Sequence, residues 1–185
     1  MKEHATDAIL LKRFRRTRDE AAFREMVRRN LGMVTAVALR KTGDPGAAEE
    51  IAQSTFTILA RKAPTLPGDT VLGGWLHRVA TIETAEFNRK EYRRRNAMKE
   101  LANAAFAEHD TPEAREFAEY LPDLDDALAR LPSRDRDALL LRFHSGMRFK
   151  EIARQTGKSE EAARKQVARA LRKLGILLGS KRGVT

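Results

Sequence analysis

Apolar side chains return every three or four residues through almost the whole of this chain. No stretch alternates apolar with polar positions as a half-buried strand must. That periodicity restricts the fold to packed helices. Only 6% of the 185 residues are aromatic, so the cores are built mainly from Ala, Leu, Ile and Val.

Boundary residues divide the pattern into elements. Asp19 can cap a helix in which Phe23, Met26, Val27, Leu31, Val34 and Val37 share a face. Gly43-Asp44-Pro45 then gives three signals in a row: a left-handed stop, a cap and a first-turn proline. The helix that follows carries Ala48, Ile51, Ala52, Thr55, Phe56 and Leu59 along one stripe, with Glu49, Glu50 and Gln53 beside it. Two prolines and a glycine mark residues 64–69 as a loop. A long helix is expected next, with Leu72, Trp75, Leu76 and Val79 inward and Ile82 at the end of that stripe. Its distal half is basic, holding Arg89, Lys90, Arg93, Arg94 and Arg95.

Residues 98–120 turn acidic and Ala-rich, with a break at Thr111-Pro112, and read as a partly helical linker. A second domain begins near Leu121. Leu124, Leu128 and Leu131 form a short helix ended by Pro132. Ser133 is expected to cap the next, which carries Leu139, Leu140, Leu141 and Phe143. A third helix holds Phe149, Ile152 and Ala153 and stops near Gly157. Ser159 caps the last, with Glu160 and Glu161 in its positively polarised first turn. The expected architecture is all-α: small helical domains over 1–97 and 121–185, joined by the acidic linker, the second one a helix-turn-helix.

Charge is distributed in blocks. Residues 1–97 hold 19 basic and 12 acidic side chains, residues 98–133 hold 3 and 9, and residues 134–185 hold 14 and 5. Basic blocks on either side of an acidic middle suit a polyanionic partner, because binding releases its condensed counterions. A solvated basic surface without a dedicated partner is the plainer reading of charge alone. The chain has no cysteine, so disulfides and thiolate metal sites are excluded. No apolar run approaches the roughly 18 residues a bilayer span needs, and the first residues open no signal peptide. A cytoplasmic protein without membrane insertion is expected.

Catalysis finds no support. His4, His77, His109 and His144 stand in no metal-ligand spacing, and there is no phosphate-binding glycine loop or nucleophile elbow. Glu49-Glu50 is a helix-surface pair. No cofactor, metal or small-molecule substrate is expected.

Phe149 to Leu174 has the helix, tight turn and second helix of a DNA-binding helix-turn-helix. Ile152, Ala153, Gly157, Ala162, Ala163 and Val167 would let the two helices approach. Arg164, Lys165, Gln166, Arg169 and Arg172 would then face outward. Arg can bridge two acceptors on guanine and Gln can pair with adenine, each good contact discriminating by about 1–3 kcal/mol.

Taken together, the two halves resemble the extracytoplasmic-function branch of the sigma-70 family. Gly43-Asp44-Pro45 followed by Ala48-Glu49-Glu50-Ile51-Ala52-Gln53-Ser54-Thr55-Phe56 is similar to its G-D-x-x-x-A-E-D-L-V-Q-E-V-F. Leu66-Pro67-Gly68-Asp69-Thr70 and Gly74-Trp75-Leu76-His77-Arg78-Val79-Ala80 are similar to F-R-G-D-S and T-W-L-Y-R-I-A. Leu128 to Pro132, Leu139 to Phe143 and Gly146 to Ala153 resemble L-x-x-L-P, a hydrophobic L-L-R segment and G-x-S-Y-x-E-I-A. Any one match is weak; all of them in order and spacing are specific.

The resemblance implies a sigma factor that binds bacterial core RNA polymerase at the clamp coiled coil and the flap, and reads promoter DNA. It assigns polymerase docking to Asp44, Glu49, Glu50, Gln53 and Phe56. It assigns the melted −10 element to Leu66, Pro67, Gly68, Asp69, Thr70, Arg78, Ile82, Arg89, Lys90 and Arg93. It assigns the −35 element to Ser159, Arg164, Lys165, Gln166, Ala168 and Arg169. Trp75 reads as core rather than as a stacking platform. An anti-sigma factor is a partner the resemblance leaves open. The chain departs from the pattern at Ser54, where the family has an acid, at Pro67, where it often has Arg, and at Ile82 and Glu83, where an Asn is common. Glu161-Ala162-Ala163 replaces G-T-V. The alternative is a conventional helix-turn-helix regulator with an N-terminal sensor or dimerisation domain. Such a protein has no need of the Asp44–Phe56 or Trp75 motifs. A two-bundle structural protein would have no need of the charge blocks.

Overall fold

The computed structural model describes residues 6–101 and 121–180, and among them every regular element is helical. The expected linker, apart from its first residues on a helix, lies outside the described residues. Helices α1 (Asp7–Thr17), α2 (Glu20–Thr42), α3 (Pro45–Lys62) and α4 (Leu72–Leu101) form the first bundle. Helices α5 (Leu121–Arg130), α6 (Ser133–Leu139), α7 (Phe149–Thr156) and α8 (Glu160–Ser180) form the second, with a π-helical turn at Leu140–His144 after α6.

The boundary residues act as their chemistry dictates. The Asp19 carboxylate accepts from Ala22 N at 3.1 Å, and Asp44 from Gly46 N at 2.8 Å. Gly43 ends α2 at φ +68° and Gly157 ends α7 at φ +65°, values at which any side chain with a Cβ is strained. Ser159 Oγ accepts from Ala162 N at 3.1 Å and caps α8. Ser133 does not cap: α6 starts at Ser133 itself, with Pro132 before it and no side-chain cap.

The first core gathers Met26, Val34 and Val37 of α2, Ala52, Phe56 and Leu59 of α3, and Leu72, Leu76 and Ala80 of α4. Burying such side chains stabilises by about 1.5–3 kcal/mol for each large one. Trp75 packs against this core. Helix α1, absent from the expected elements, adds Leu10, Leu11 and Phe14, and its short Leu-Leu-x-x-Phe stripe was the available signal. Leu31 and Ile82, expected to face inward, are both 45% exposed. Each lies at the edge of its helix's apolar stripe, where a 3.6-residue turn has carried it out of the core. Helix α4 also continues past the expected domain end at residue 97, to Leu101.

In the second bundle Leu131, Ala138, Leu139, Val167 and Ala170 pack together, and Leu141, Ile152, Ala153 and Ala163 form an adjoining cluster. Phe143 is 64% exposed instead of buried, because the π-helical turn shifts its register relative to Leu141. Ala162, expected between the helices, is exposed, and Ala163 takes that place.

The bundles also touch each other. Asp125 of α5, 1% exposed, receives Arg40 Nε and Nη2 at 2.7 and 2.9 Å and His77 Nε2 at 3.1 Å. Lys41 pairs with Asp126, and His144 Nε2 lies 3.3 Å from the Oδ1 of buried Asn30.

Candidate nucleic-acid interface and docking groove

Helix α3 presents the residues assigned to polymerase docking on two faces. Phe56 is buried, and it forms the floor of a groove of about 760 Å³ between α2 and α3. The groove is lined mainly by Phe23, Val27, Leu31, Ala52 and Phe56, with Glu49 and Gln53 on its rim. Glu49, Glu50 and Gln53 are exposed. An apolar trough edged by a carboxylate and an amide is shaped for an amphipathic helix with basic flanks. Asp44 is exposed, and its carboxylate is engaged in capping α3. Ser54, turned away from the groove, donates a 2.5 Å hydrogen bond to Glu83 of α4.

The residues assigned to the −10 element separate into anchors and open positions. Leu66 is buried in the first core and cannot face DNA in this conformation. Pro67, Gly68 and Asp69 are exposed, and Thr70 is tied to the Pro67 carbonyl by its N–H at 3.2 Å and its hydroxyl at 2.7 Å. Together these make a short, internally braced turn ahead of α4. Arg78, Ile82, Arg89, Lys90 and Arg93 are all exposed along α4, a cationic track suited to a phosphate backbone. Tyr92, not singled out from the sequence, is 68% exposed within that basic run. Its position among Arg89, Lys90, Arg93 and Arg94 was the available signal, since aromatic residues interleaved with cations suit stacking on bases.

On α8 the side chains of Arg164, Lys165 and Arg169 are 63%, 76% and 55% exposed, and Ala168 is exposed beside them. Arg164 stacks over the Phe149 ring at 5.0 Å, with Arg142 over the same ring at 4.9 Å. Contact with the ring gives the Arg164 guanidinium a defined starting position. Arg169 and Lys173 converge on Asp135, at 3.7 and 2.6 Å.

Gln166 departs from its assignment. It is 5% exposed, donates to the Arg134 carbonyl at 2.7 Å and accepts from Lys158 Nζ. It ties α8 to α6 and to the turn, with both ends of the amide engaged. The reason is angular: Gln166 lies three residues after Ala163 and next to Val167, on the buried side of the helix. Ser159 holds the helix start as its cap.

Among the described residues no group of His, Cys, Asp or Glu could hold a metal ion, and no helix is long and apolar enough to cross a membrane.

An all-helical scaffold with an apolar groove, a cationic helix and a helix-turn-helix has the features of a DNA-binding protein. The family description Sigma-70 region 2 matches residues 26–95, and Sigma-70 region 4 matches residues 121–174. The chain belongs to the sigma-70 family, in its extracytoplasmic-function branch. Similar proteins include the probable RNA polymerase sigma factor RfaY of Xanthomonas campestris pv. campestris, 32% identical over 74% of this chain and 35% of its own length. The ECF RNA polymerase sigma factor SigE of Mycolicibacterium smegmatis is 31% identical over 87% of this chain and 64% of its own length. The ECF RNA polymerase sigma factor SigL of Mycobacterium tuberculosis is 28% identical over 86% of this chain and 90% of its own length. The chain thus spans about a third of the first of these relatives and somewhat under two thirds of the second.

Proposed function

We propose that the chain is a promoter-specificity subunit that docks on core RNA polymerase through the α2–α3 groove and reads a promoter with α4 and α8. The observation that carries the reading is the pairing, in one chain, of an apolar groove rimmed by Glu49 and Gln53 with an α8 face of exposed Arg164, Lys165 and Arg169. A conventional regulator uses the second feature and has no need of the first.

Each surface performs a distinct task. The groove takes an apolar stripe from the clamp coiled coil, and Glu49, Glu50 and Gln53 pair with basic groups beside it. The Pro67–Thr70 turn and the exposed cations of α4 hold the melted −10 strand. The α8 face enters the major groove at the −35 element, where arginines bridge guanine acceptors or hold phosphate. Binding energy drives these steps, with no bond chemistry and no cofactor, and the place of action is the cytoplasm, where polymerase is.

Size-exclusion co-migration with bacterial core polymerase tests the proposal, comparing the native chain with a Glu50→Ala/Gln53→Ala double variant. The native chain should co-migrate and the double variant should be weakened. A well-folded native chain that stays free of polymerase would hand the function to a conventional regulator.

A further inference from the structure

The turn offered to the melted −10 strand has to hold a polyanion, yet its one charged side chain from Leu66 to Thr70 is the acid Asp69. The cations of α4 stand at a distance from it. At 1.5 Å of rise per residue, Arg78 lies roughly 9 Å along the helix from Leu72, and Arg89 roughly 25 Å. A cation does approach the turn from another helix. A Cβ on Gly68 would stand 3.9 Å from Nη1 of Arg15, on α1.

Arg15 is one of three cations on an open face of α1. Lys12, Arg15 and Arg16 line a groove of about 630 Å³ together with Ile9, Pro64 and Gly68. Leu10, Leu11 and Phe14 of the same helix are buried in the first core and hold that face in place. Arg15 is half-buried, while Lys12 and Arg16 are exposed. The neighbouring arginines are committed elsewhere. Arg13 pairs with Asp19 at 2.5 Å, and Arg18 donates to the Ala60 carbonyl at 3.0 Å. Among the described residues no carboxylate pairs with Lys12, Arg15 or Arg16. Like charges three and four residues apart on a helix repel, so an anion seated on this face relieves a cost. Cations near a helix C-terminus also suit the helix dipole. That accounts for the charge, but not for the place of Arg15 against the turn.

We propose that Arg15 is the phosphate-holding cation of the Pro67–Thr70 turn, supplied through space from α1, with Lys12 and Arg16 continuing the seat for the strand that leaves the turn. The proposal deepens the sigma-factor reading and rests on it. Helix α1 lies ahead of residues 26–95, the segment that matches Sigma-70 region 2. Pro67 stands where the motif this turn resembles often has Arg. The Arg15 guanidinium lies beside the very next residue, so the charge missing from the turn is restored from a helix some fifty positions earlier in the chain. A guanidinium fits the task, because its planar fork of donors matches two phosphate oxygens. Ile9, 50% exposed, gives the groove an apolar edge against which a sugar or base can rest.

The test uses the full chain bound to core polymerase and a DNA duplex ending in a single-stranded overhang of mixed sequence, with the blunt duplex as control. Native protein is compared with Arg15→Gln, Arg15→Lys and Arg15→Gln/Pro67→Arg. Glutamine keeps most of the stem and removes the charge, so packing against the turn survives. Arg15→Gln should bind the overhang several-fold more weakly and lower its salt slope by about 0.7, the value for one single-strand phosphate. Its binding to the blunt duplex should match native. Arg15→Lys should keep the native slope, and Arg15→Gln/Pro67→Arg should regain both slope and affinity. Native affinity and slope in Arg15→Gln, an equal loss on the blunt duplex, or a loss that Pro67→Arg does not restore would overturn the proposal. Failure of the native chain to co-migrate with polymerase would instead overturn the sigma-factor reading.

Discussion

Ser54 and Glu83 bond directly to each other, hydroxyl to carboxylate at 2.5 Å, and so fasten α3 to the cationic helix α4. Each departs from the motif its segment resembles, and the two departures meet in space. A carboxylate at Glu83 is an acceptor only, and the Ser54 hydroxyl supplies the proton. A hydrogen bond to a charged group contributes about 1.5–3 kcal/mol, less where water reaches it. Ser54→Ala should therefore lower the urea stability of the first bundle by about 1 kcal/mol. Co-migration with polymerase should be retained, because the groove rim is untouched.

Leu31 should matter for docking and not for folding. It lines the α2–α3 groove while remaining 45% exposed. Leu31→Glu puts a charge into an apolar trough without emptying the core. Thermal melting should change by no more than about 0.5 kcal/mol, as for other surface substitutions. Affinity for core polymerase, measured by titration, should fall about tenfold or more, which corresponds to about 1.4 kcal/mol.

Gln166 and Arg164 should separate stability from reading. Gln166→Ala leaves the Arg134 carbonyl and Lys158 without their partner and should cost about 1–3 kcal/mol in unfolding of the second bundle. Arg164→Ala should leave unfolding nearly unchanged, since the side chain is 63% exposed, yet weaken promoter binding. If Arg164 holds a base, discrimination at one position falls; if it holds phosphate, the salt slope drops by about 1. Fluorescence anisotropy across salt concentrations distinguishes the two.

The contact between the two bundles, closed in this structure, should respond to pH through two groups of opposite sign. Burial pushes Asp137 up to about 6, against the opposing charge of Arg136. The closed form thus holds that proton more tightly than the open form, and closure weakens as pH rises from about 4 through 6. Burial also lowers the His144 pKa, only partly offset by Asp7 and reinforced by His77. There the closed form holds the proton less tightly, and closure strengthens as pH rises towards 6.5. Asp125 adds little above pH 4: burial would raise it, but the bonds from His77 and Arg40 outweigh burial and hold it below 3.8. Asp137→Asn should leave only the His144 response, so that its radius of gyration decreases steadily between pH 5 and 7.

Apart from α1 and the cap expected at Ser133, the helices, caps and stops were legible in the sequence because they rest on local chemistry. Asp19, Asp44 and Ser159 cap within three residues of themselves, and Gly43 and Gly157 need only their own φ. The α3 stripe from Ala48 to Leu59 is buried as its spacing dictates. The outward face of α8 was legible except at Gln166, whose amide was drawn in by the Arg134 carbonyl and Lys158 from distant parts of the sequence. Exposure at the edges of stripes, as at Leu31, Ile82 and Phe143, depends on how neighbouring helices are set, and periodicity carries no term for that. The contact between bundles was not legible at all. Arg40 and Asp125 are 85 residues apart, and nothing in either local sequence names the other. Sequence alone determined the helical architecture and its family, through interactions that act over one or two turns. Tertiary structure decided which polar side chains are committed inward and where the two bundles meet, because burial and ion pairing depend on distances that only the folded chain creates.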